Sequence, residues 1–421
     1  MIKKIIVSFL LFSAIATFSQ STTSSPYSIF GIGEMKFKGT VENRSMGGLS
    51  VLRDSIHLNL QNPASVASLQ YTSFTVGATT GQTILSTSKT ENLSKRTSVD
   101  YLALGLPLGK FGATFGLMPY SAVGYDIANE KTDAEILQLN TADLISSKYI
   151  GSGGINKFFV GGAYKITPDL NFGLTIESYF GKIETEAILR FKDIQFGTQE
   201  INVSNASGIG FTTGLQYQSK FKSKIQLSGG LTFTPESNLN FTNSRVISRV
   251  QYPVQTQILD FVSPAVADTS VKLPSKFSIG AGVGQMRKWQ VGSEIVLTSS
   301  SNFGNRFNDI TTATFENATQ FKVGGFYIPK FNSFNNYFDR VVYRAGFNYQ
   351  NTGLVINNKS IKDQTISLGV GLPLGGFANL NLGFEFGKRG TKLANLVSEN
   401  YNNVVIGLSI NDRWFVKRKY D

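Results

Sequence analysis

Apolar and polar residues alternate one for one over long stretches of this chain. From Thr365 to Leu372, Ile366, Leu368, Val370 and Leu372 alternate with Thr365, Ser367, Gly369 and Gly371. From Asn379 to Gly387, Leu380, Leu382, Phe384 and Phe386 share one face and Asn379, Asn381, Gly383, Glu385 and Gly387 the other. The same rhythm recurs over 225–233 and 277–284. A period of two belongs to β-strands. The polar face here is mainly Gly, Ser, Asn and Gln, whereas a soluble sandwich normally turns Lys, Glu and Thr to water. A small-residue face suits a confined interior, and the apolar face then meets lipid.

Strands are expected over 71–79, 98–107, 111–119, 156–166, 170–180, 207–217, 224–234, 275–285, 287–298, 320–327, 340–350, 360–373, 377–388 and 401–411. Tight turns at Leu108-Gly109-Lys110, Thr167-Pro168-Asp169, Ser219–Ser223, Met286-Arg287 and Gly375-Gly376, with a longer one at 328–339, alternate with polar stretches at 80–97, 120–155, 181–206, 235–274, 299–319, 351–359 and 389–400. Short turns on one side and long loops on the other are the plan of a bacterial outer-membrane barrel, with both termini on the periplasmic side. Closure is required because an open sheet edge leaves backbone groups unpaired in lipid. The expected fold is all-β: a closed transmembrane antiparallel β-barrel of about fourteen strands. Tyr71, Tyr101, Tyr120, Tyr164, Tyr217, Trp289, Tyr327, Tyr343, Tyr349, Tyr401 and Trp414 lie near strand ends and are expected to form the two interfacial girdles.

The N-terminus has a different grammar. Lys3 and Lys4 precede an apolar run from Ile5 to Phe18 that is too short to span a bilayer, which reads as a secretory signal with cleavage near Gln20. The expected organisation is a signal peptide over 1–20, an N-terminal segment over 21–70 and the barrel over 71–421. Residues 21–70 do not join the strand rhythm and are too apolar for a free tail. The lumen, whose glycine-rich faces leave backbone room, is where they can bury as a hatch.

Composition narrows the chemistry. The chain has no cysteine, so neither disulfides nor a cysteine-borne lipid anchor is available. Glycine (42), phenylalanine (33) and tyrosine (16) are abundant, while only 16% of residues are charged, which favours a membrane wall over a soluble surface. Loss of Lys3 and Lys4 with the signal lowers the formal charge from +12 to +10. For an exported protein the counter-charge is lipid headgroup and lipopolysaccharide phosphate rather than nucleic acid. Lys388, Arg389 and Lys392, and the terminal Arg413, Lys417, Arg418 and Lys419, are the expected headgroup contacts. His57 is the only histidine, which leaves no set of His and Cys ligands for zinc and no evident nucleophile–base pair. No cofactor or metal is expected, and the chain does not read as an enzyme. Glu177, Glu294, Arg344 and Glu385 fall on inward positions by alternation. Buried charges need partners, so bonds to the hatch or across the lumen are expected of them.

Ser45-Met46-Gly47-Gly48-Leu49, then Asn62-Pro63-Ala64 just before the first strand, then about fourteen strands, together resemble the FadL-type outer-membrane barrels, a superfamily of hydrophobic-compound transporters. Leu273-Pro274-Ser275-Lys276-Phe277 is similar to that family as well. Tyr343-Arg344-Ala345-Gly346-Phe347, Gly371-Leu372-Pro373-Leu374-Gly375, Phe386-Gly387-Lys388-Arg389-Gly390-Thr391 and Asn411-Asp412-Arg413-Trp414-Phe415 resemble its Bacteroidota branch. The resemblance implies that Asn62, Pro63 and Ala64 form the hatch motif. It also implies that the hatch plugs the lumen and that apolar ligands leave sideways through a gap beside a kinked strand; Pro119 or Gly124 is either a kink in the third strand or loop chemistry. Two functions stand open. One is passive uptake of small hydrophobic compounds across the cell outer membrane. The other is a non-transporting partner subunit of an outer-membrane protein assembly or secretion complex. The long loops are mostly polar, which fits a transporter's apolar outer pocket poorly.

Overall fold

The computed structural model describes residues 23–222, 224–251, 257–306, 313–374 and 378–414. The expected signal peptide and the basic residues Lys417, Arg418 and Lys419 lie outside the described residues. Fourteen antiparallel staves close into a barrel. In chain order they are β1 (Thr72–Ser86), β2 (Glu91–Leu108), β3 (Phe111–Ala122, resuming as Tyr125–Glu130), β4 (Leu144–Lys165), β5 (Leu170–Phe191), β6 (Phe196–Lys222) and β7 (Ile225–Thr234, resuming as Ser237–Gln251). They continue with β8 (Ser275–Gln285, preceded by Gln257–Val262 and Thr269–Leu273), β9 (Trp289–Ser299), β10 (Ala318–Tyr327), β11 (Val342–Ile356), β12 (Lys359–Pro373), β13 (Asn379–Gly390) and β14 (Ser398–Asp412). Closure comes from β14 pairing with β1 over Thr72↔Asp412 to Ser86↔Ser398.

The alternation sets the faces. Ile366, Leu368, Phe384 and Phe386 are exposed on the outer wall, whereas Ser367, Gly369, Asn381, Gly383 and Glu385 are buried inside. Three girdle assignments change. Tyr101, Tyr120 and Tyr401 point inward, while Tyr164, Tyr217, Tyr327, Tyr343 and Trp414 are exposed outside. For Tyr101 the cause is a β-bulge in β2. Tyr101 pairs with Gly77 and Val99 with Ala78, which leaves Asp100 as an extra residue, so Asp100 and Tyr101 both turn inward.

The stretches expected to be long loops are largely strand. β5 and β6 stay paired from Leu170↔Tyr217 to Leu189↔Thr198, and β7 resumes alongside β6 as far as Gln251↔Phe196. Above the bilayer both faces of a strand meet water, so the apolar signal disappears although the hydrogen-bond ladder continues. Polar cross-strand pairs replace it, such as Arg245 Nε with Glu200 at 3.1 Å and Gln199 Nε2 donating to Glu186 at 2.5 Å.

One seam is incomplete. β2 pairs with β3 only over Leu102–Leu108, whereas β3 stays paired with β4 from Phe111 to Ala122 through a register shift between Pro119 and Ser121. The outer half of β2 therefore has no β3 partner. Proline removes a ladder donor and glycine permits the φ of +98° at Gly153 on the facing strand, so the shift has a local cause.

Candidate functional site

Residues 23–70 lie inside the barrel, and their local structure is built from short pieces. Pro26–Ile29 and Pro63–Ser68 form 3₁₀ turns, Val41–Arg44 one α-turn, and Glu34–Met35 a two-residue strand. Asn62 caps the second 3₁₀ turn. Its Oδ1 accepts from the Ala64 amide at 3.0 Å, and its Nδ2 donates to the Leu215 carbonyl on β6 at 3.0 Å. Pro63 follows at the first helical position, where a missing amide hydrogen has no cost. The motif Asn62-Pro63-Ala64 thus sits against the wall. A Cβ at Gly173 would come within 2.4 Å of the Ala64 nitrogen, and one at Gly214 within 2.2 Å of Asn62 Oδ1.

The Met46-Gly47-Gly48 turn lies against β10–β12. Gly47 and Gly48 take φ of +72° and +79°, and the Gly47 amide donates to Ser367 Oγ at 2.9 Å. A Cβ on Gly346 would lie 2.1 Å from the Met46 carbonyl carbon, so the wall glycine and the hatch backbone are in direct contact.

Buried charge fastens this segment. Arg44 reaches Glu385 through Nε at 2.7 Å and Nη2 at 2.6 Å, and reaches Asp100 through Nη1 at 2.9 Å. Glu294 accepts from the amide and hydroxyl of Ser50 at 2.7 and 2.8 Å, while Lys322 on β10 neutralises it at 3.0 Å. Arg344 donates to Asn381, whose amide in turn donates to Glu42. Glu177 binds Lys157 on the adjacent strand at 2.8 Å and Tyr179, and among the described residues no bond joins it to the hatch. His57 Nδ1 lies 2.8 Å from Asp54 and its Nε2 3.9 Å from Glu42. Burial opposes the imidazolium, but the Asp54 carboxylate, reinforced by Glu42, overrides it and raises the His57 pKa above its ordinary value. Hydrogen-bonded to Asp54 and facing Glu42, His57 is a structural residue of the hatch.

Above the hatch lies a cavity of about 360 Å³. Phe30, Phe37, Phe159, Leu273, Phe303 and Phe315 contribute apolar lining, and the charges come from Glu34 and Lys38 of the hatch and from Lys157, Lys276, Lys322, Glu177, Asp363 and Arg389 of the wall. The hatch strand Glu34–Met35 forms part of this lining and also occupies the incomplete seam. It pairs with Ala122 and Ser121 on the free edge of β3, with Lys36 N bonded to the Tyr120 carbonyl at 3.0 Å. Arg96 of β2 faces it at 3.6 Å from Glu34. The hatch strand therefore stands between the lumen cavity and the wall gap, and closure of that gap is ionic as well as steric.

A family profile described as BamG matches residues 1–421. The chain belongs to the BamG family. No curated protein matches this BamG-family chain. Solved structures similar to it share its fold at low identity. A Pseudomonas aeruginosa FadL homologue has a TM-score of 0.61 at 12% identity, covering 90% of this chain and 98% of its own. The CymD monoaromatic hydrocarbon channel has 0.58 at 12%, covering 93% and 99%. The Ralstonia pickettii toluene transporter TbuX has 0.57 at 14%, covering 88% and 98%. The BamG-family chain thus has the FadL-type fold, and it is an outer-membrane barrel.

One expected headgroup contact is corrected. Arg389 is buried inside the barrel, where it binds Glu34 at 2.7 Å, Asp363 at 3.3 Å and Glu399 at 3.5 Å. Two neighbours in sequence, Lys388 and Arg389, necessarily project to opposite faces of β13. Lys388, Lys392 and Arg413 are exposed. The residues missed from sequence are Arg44, Asp100, Lys157, Ser50 and Lys322. The inward Glu385 signalled a need for a buried cation, but nothing in the sequence pointed to Arg44, because Asp100 turns inward only at the β2 bulge.

Proposed function

We propose that this BamG-family barrel takes up small hydrophobic compounds passively and releases them sideways through the β2/β3 gap. The observation that carries the reading is the hatch strand Glu34–Met35, which lines the lumen cavity on one side and fills the wall gap on the other. Displacement of two strand residues joins the two spaces. A cavity of about 360 Å³ with an aromatic lining suits one small ring compound or a short chain. The similar proteins named as monoaromatic hydrocarbon channels and toluene transporters carry ligands of that size. Residues 1–20 serve as the export signal, and Lys388, Lys392 and Arg413 contact headgroups or lipopolysaccharide. The test is toluene entry into proteoliposomes. Wild-type barrel raises the rate over protein-free vesicles, and Thr298→Trp, which fills the cavity, abolishes the gain. Equal rates with and without protein remove the reading.

A second reading, a non-transporting subunit of an outer-membrane assembly or secretion complex, has its own support. Buried ion pairs from Arg44 to Glu385 and from Arg389 to Glu34, with the bonds from Ser50 to Glu294, tie the hatch to the wall and oppose its movement. Stoichiometric co-purification of other barrels in mild detergent, together with no uptake, selects it.

A further inference from the structure

The connection between β10 and β11, residues 328–341, is longer than the β8–β9 turn beside it, and it is tied to its neighbours at both ends. Its Ile328 amide donates to the Lys288 carbonyl in the β8–β9 turn, and Arg287 of that same turn stacks 4.9 Å from the Phe331 ring centre. At the other end Tyr337 donates its hydroxyl to the Pro373 carbonyl at the end of β12. Internal bonds set the shape: Lys330 N to the Asp339 carbonyl at 2.8 Å, and Ser333 Oγ to Asp339 Oδ2 at 2.9 Å. This is a braced element rather than a loose loop.

What it presents is aromatic and basic. Phe334 is 98% exposed and Phe338 68%. The Phe338 carbonyl accepts from the Tyr343 hydroxyl at 3.3 Å, and Tyr343 pairs across the ladder with Tyr327. Both tyrosines face outward on the lipid side, so the aromatic surface of the turn is continuous with the membrane wall. Arg287, Lys288, Lys330 and Arg340 surround it, and among the described residues none of the four forms an ion pair with a carboxylate. Arg340 Nε is buried with no hydrogen-bond partner, and its guanidinium lies over Tyr337 at 5.4 Å. The one acid of the turn, Asp339, already accepts from Ser333 and Asn336.

We propose that the turn 328–341, with Arg287 and Lys288, is a binding site for anionic phospholipid headgroups in the periplasmic leaflet, with Phe334 and Phe338 inserted among the acyl chains. Exposed phenylalanines are unfavourable in water and favourable at a bilayer interface, and unpaired cations beside them complement a phosphate. Continuity with the lipid-facing wall through Tyr343 selects the membrane over a periplasmic protein as the occupant. Each cation contributes about fivefold to affinity for an anionic surface, so loss of three lowers it on the order of a hundredfold.

The experiment uses the full barrel, with native mass spectrometry against cardiolipin, phosphatidylglycerol and phosphatidylcholine. Wild type retains the two anionic lipids and not phosphatidylcholine. The triple variant Arg287→Ser, Lys330→Ser, Arg340→Ser loses them, while Phe334→Ser, at a fully exposed position that folding does not need, weakens retention without changing heat-modifiability. In cells, a photoreactive residue in place of Phe334 captures phospholipid. Retention of anionic lipid by the triple variant, or capture of a protein instead of lipid at 334, overturns the proposal.

Discussion

Arg44 and Glu385 meet through two parallel hydrogen bonds of 2.7 and 2.6 Å, although 341 residues separate them. The guanidinium belongs to the hatch and the carboxylate to β13. The bulge in β2 brings Asp100 to the third side of the same guanidinium. A bidentate pair with both partners buried is strong in one sense only: removal of either member strands the other in low dielectric.

Arg44→Ala therefore leaves Glu385 and Asp100 uncompensated, and hatch docking weakens by about 3–5 kcal/mol. Limited proteolysis of the intact barrel reads this as cleavage within residues 23–70 while the strands stay protected. Arg44→Lys recovers little, because an ammonium cannot make the two parallel bonds. An uncut hatch in Arg44→Ala would show that the ion pair does not hold it.

Asn62 separates two roles that one side chain performs. Asn62→Ala removes both the cap on Ala64 and the bond to Leu215, costing about 1 kcal/mol for the cap alone. Asn62→Asp keeps the cap and loses the donor to Leu215. Hydrogen exchange should deprotect the Ala64 amide in the first variant and leave it protected in the second.

His57 makes hatch docking depend on pH. Its pKa is raised in the folded state, with burial opposing the charge and Asp54 and then Glu42 favouring it, while Arg344 works against them. A raised pKa contributes stability that is complete below the ordinary value of 6.5 and is lost as pH rises through the folded value. Protease sensitivity of the hatch is expected to increase above pH 6.5, and His57→Gln should flatten the dependence. An unchanged profile in that variant assigns the dependence elsewhere.

The two barrel faces fail for different reasons. Leu368→Arg places a charge in lipid and costs about 2–4 kcal/mol near the midplane. Gly346→Ala looks milder but brings a Cβ within 2.1 Å of Met46 backbone, and overpacking of this kind costs about 1–3 kcal/mol. Heat-modifiability should report loss of the folded barrel for Leu368→Arg. For Gly346→Ala the barrel remains folded and the hatch becomes protease-sensitive.

Much of this molecule is local in origin. Alternation along β12 and β13 determined strand identity, facing and stave count, because a side-chain period of two is a property of each strand alone. The Asn62-Pro63-Ala64 turn was legible for the same reason: cap and proline act within four residues. Tertiary structure decided what alternation cannot carry. The bulge at Asp100 inverts the phase of β2 and sends Tyr101 inward, and a one-residue insertion is visible only against the partner strand. Arg389 shares the inward phase of Glu385 and Gly387, so alternation already carried its facing; only its partners Glu34, Asp363 and Glu399 were decided by tertiary structure. The polar extensions of β5 to β7 lost their pattern once both faces met water, though their ladders persist. Arg44 found Asp100 and Glu385 only when the barrel closed, since distant charges pair by position in space and leave no period in the chain.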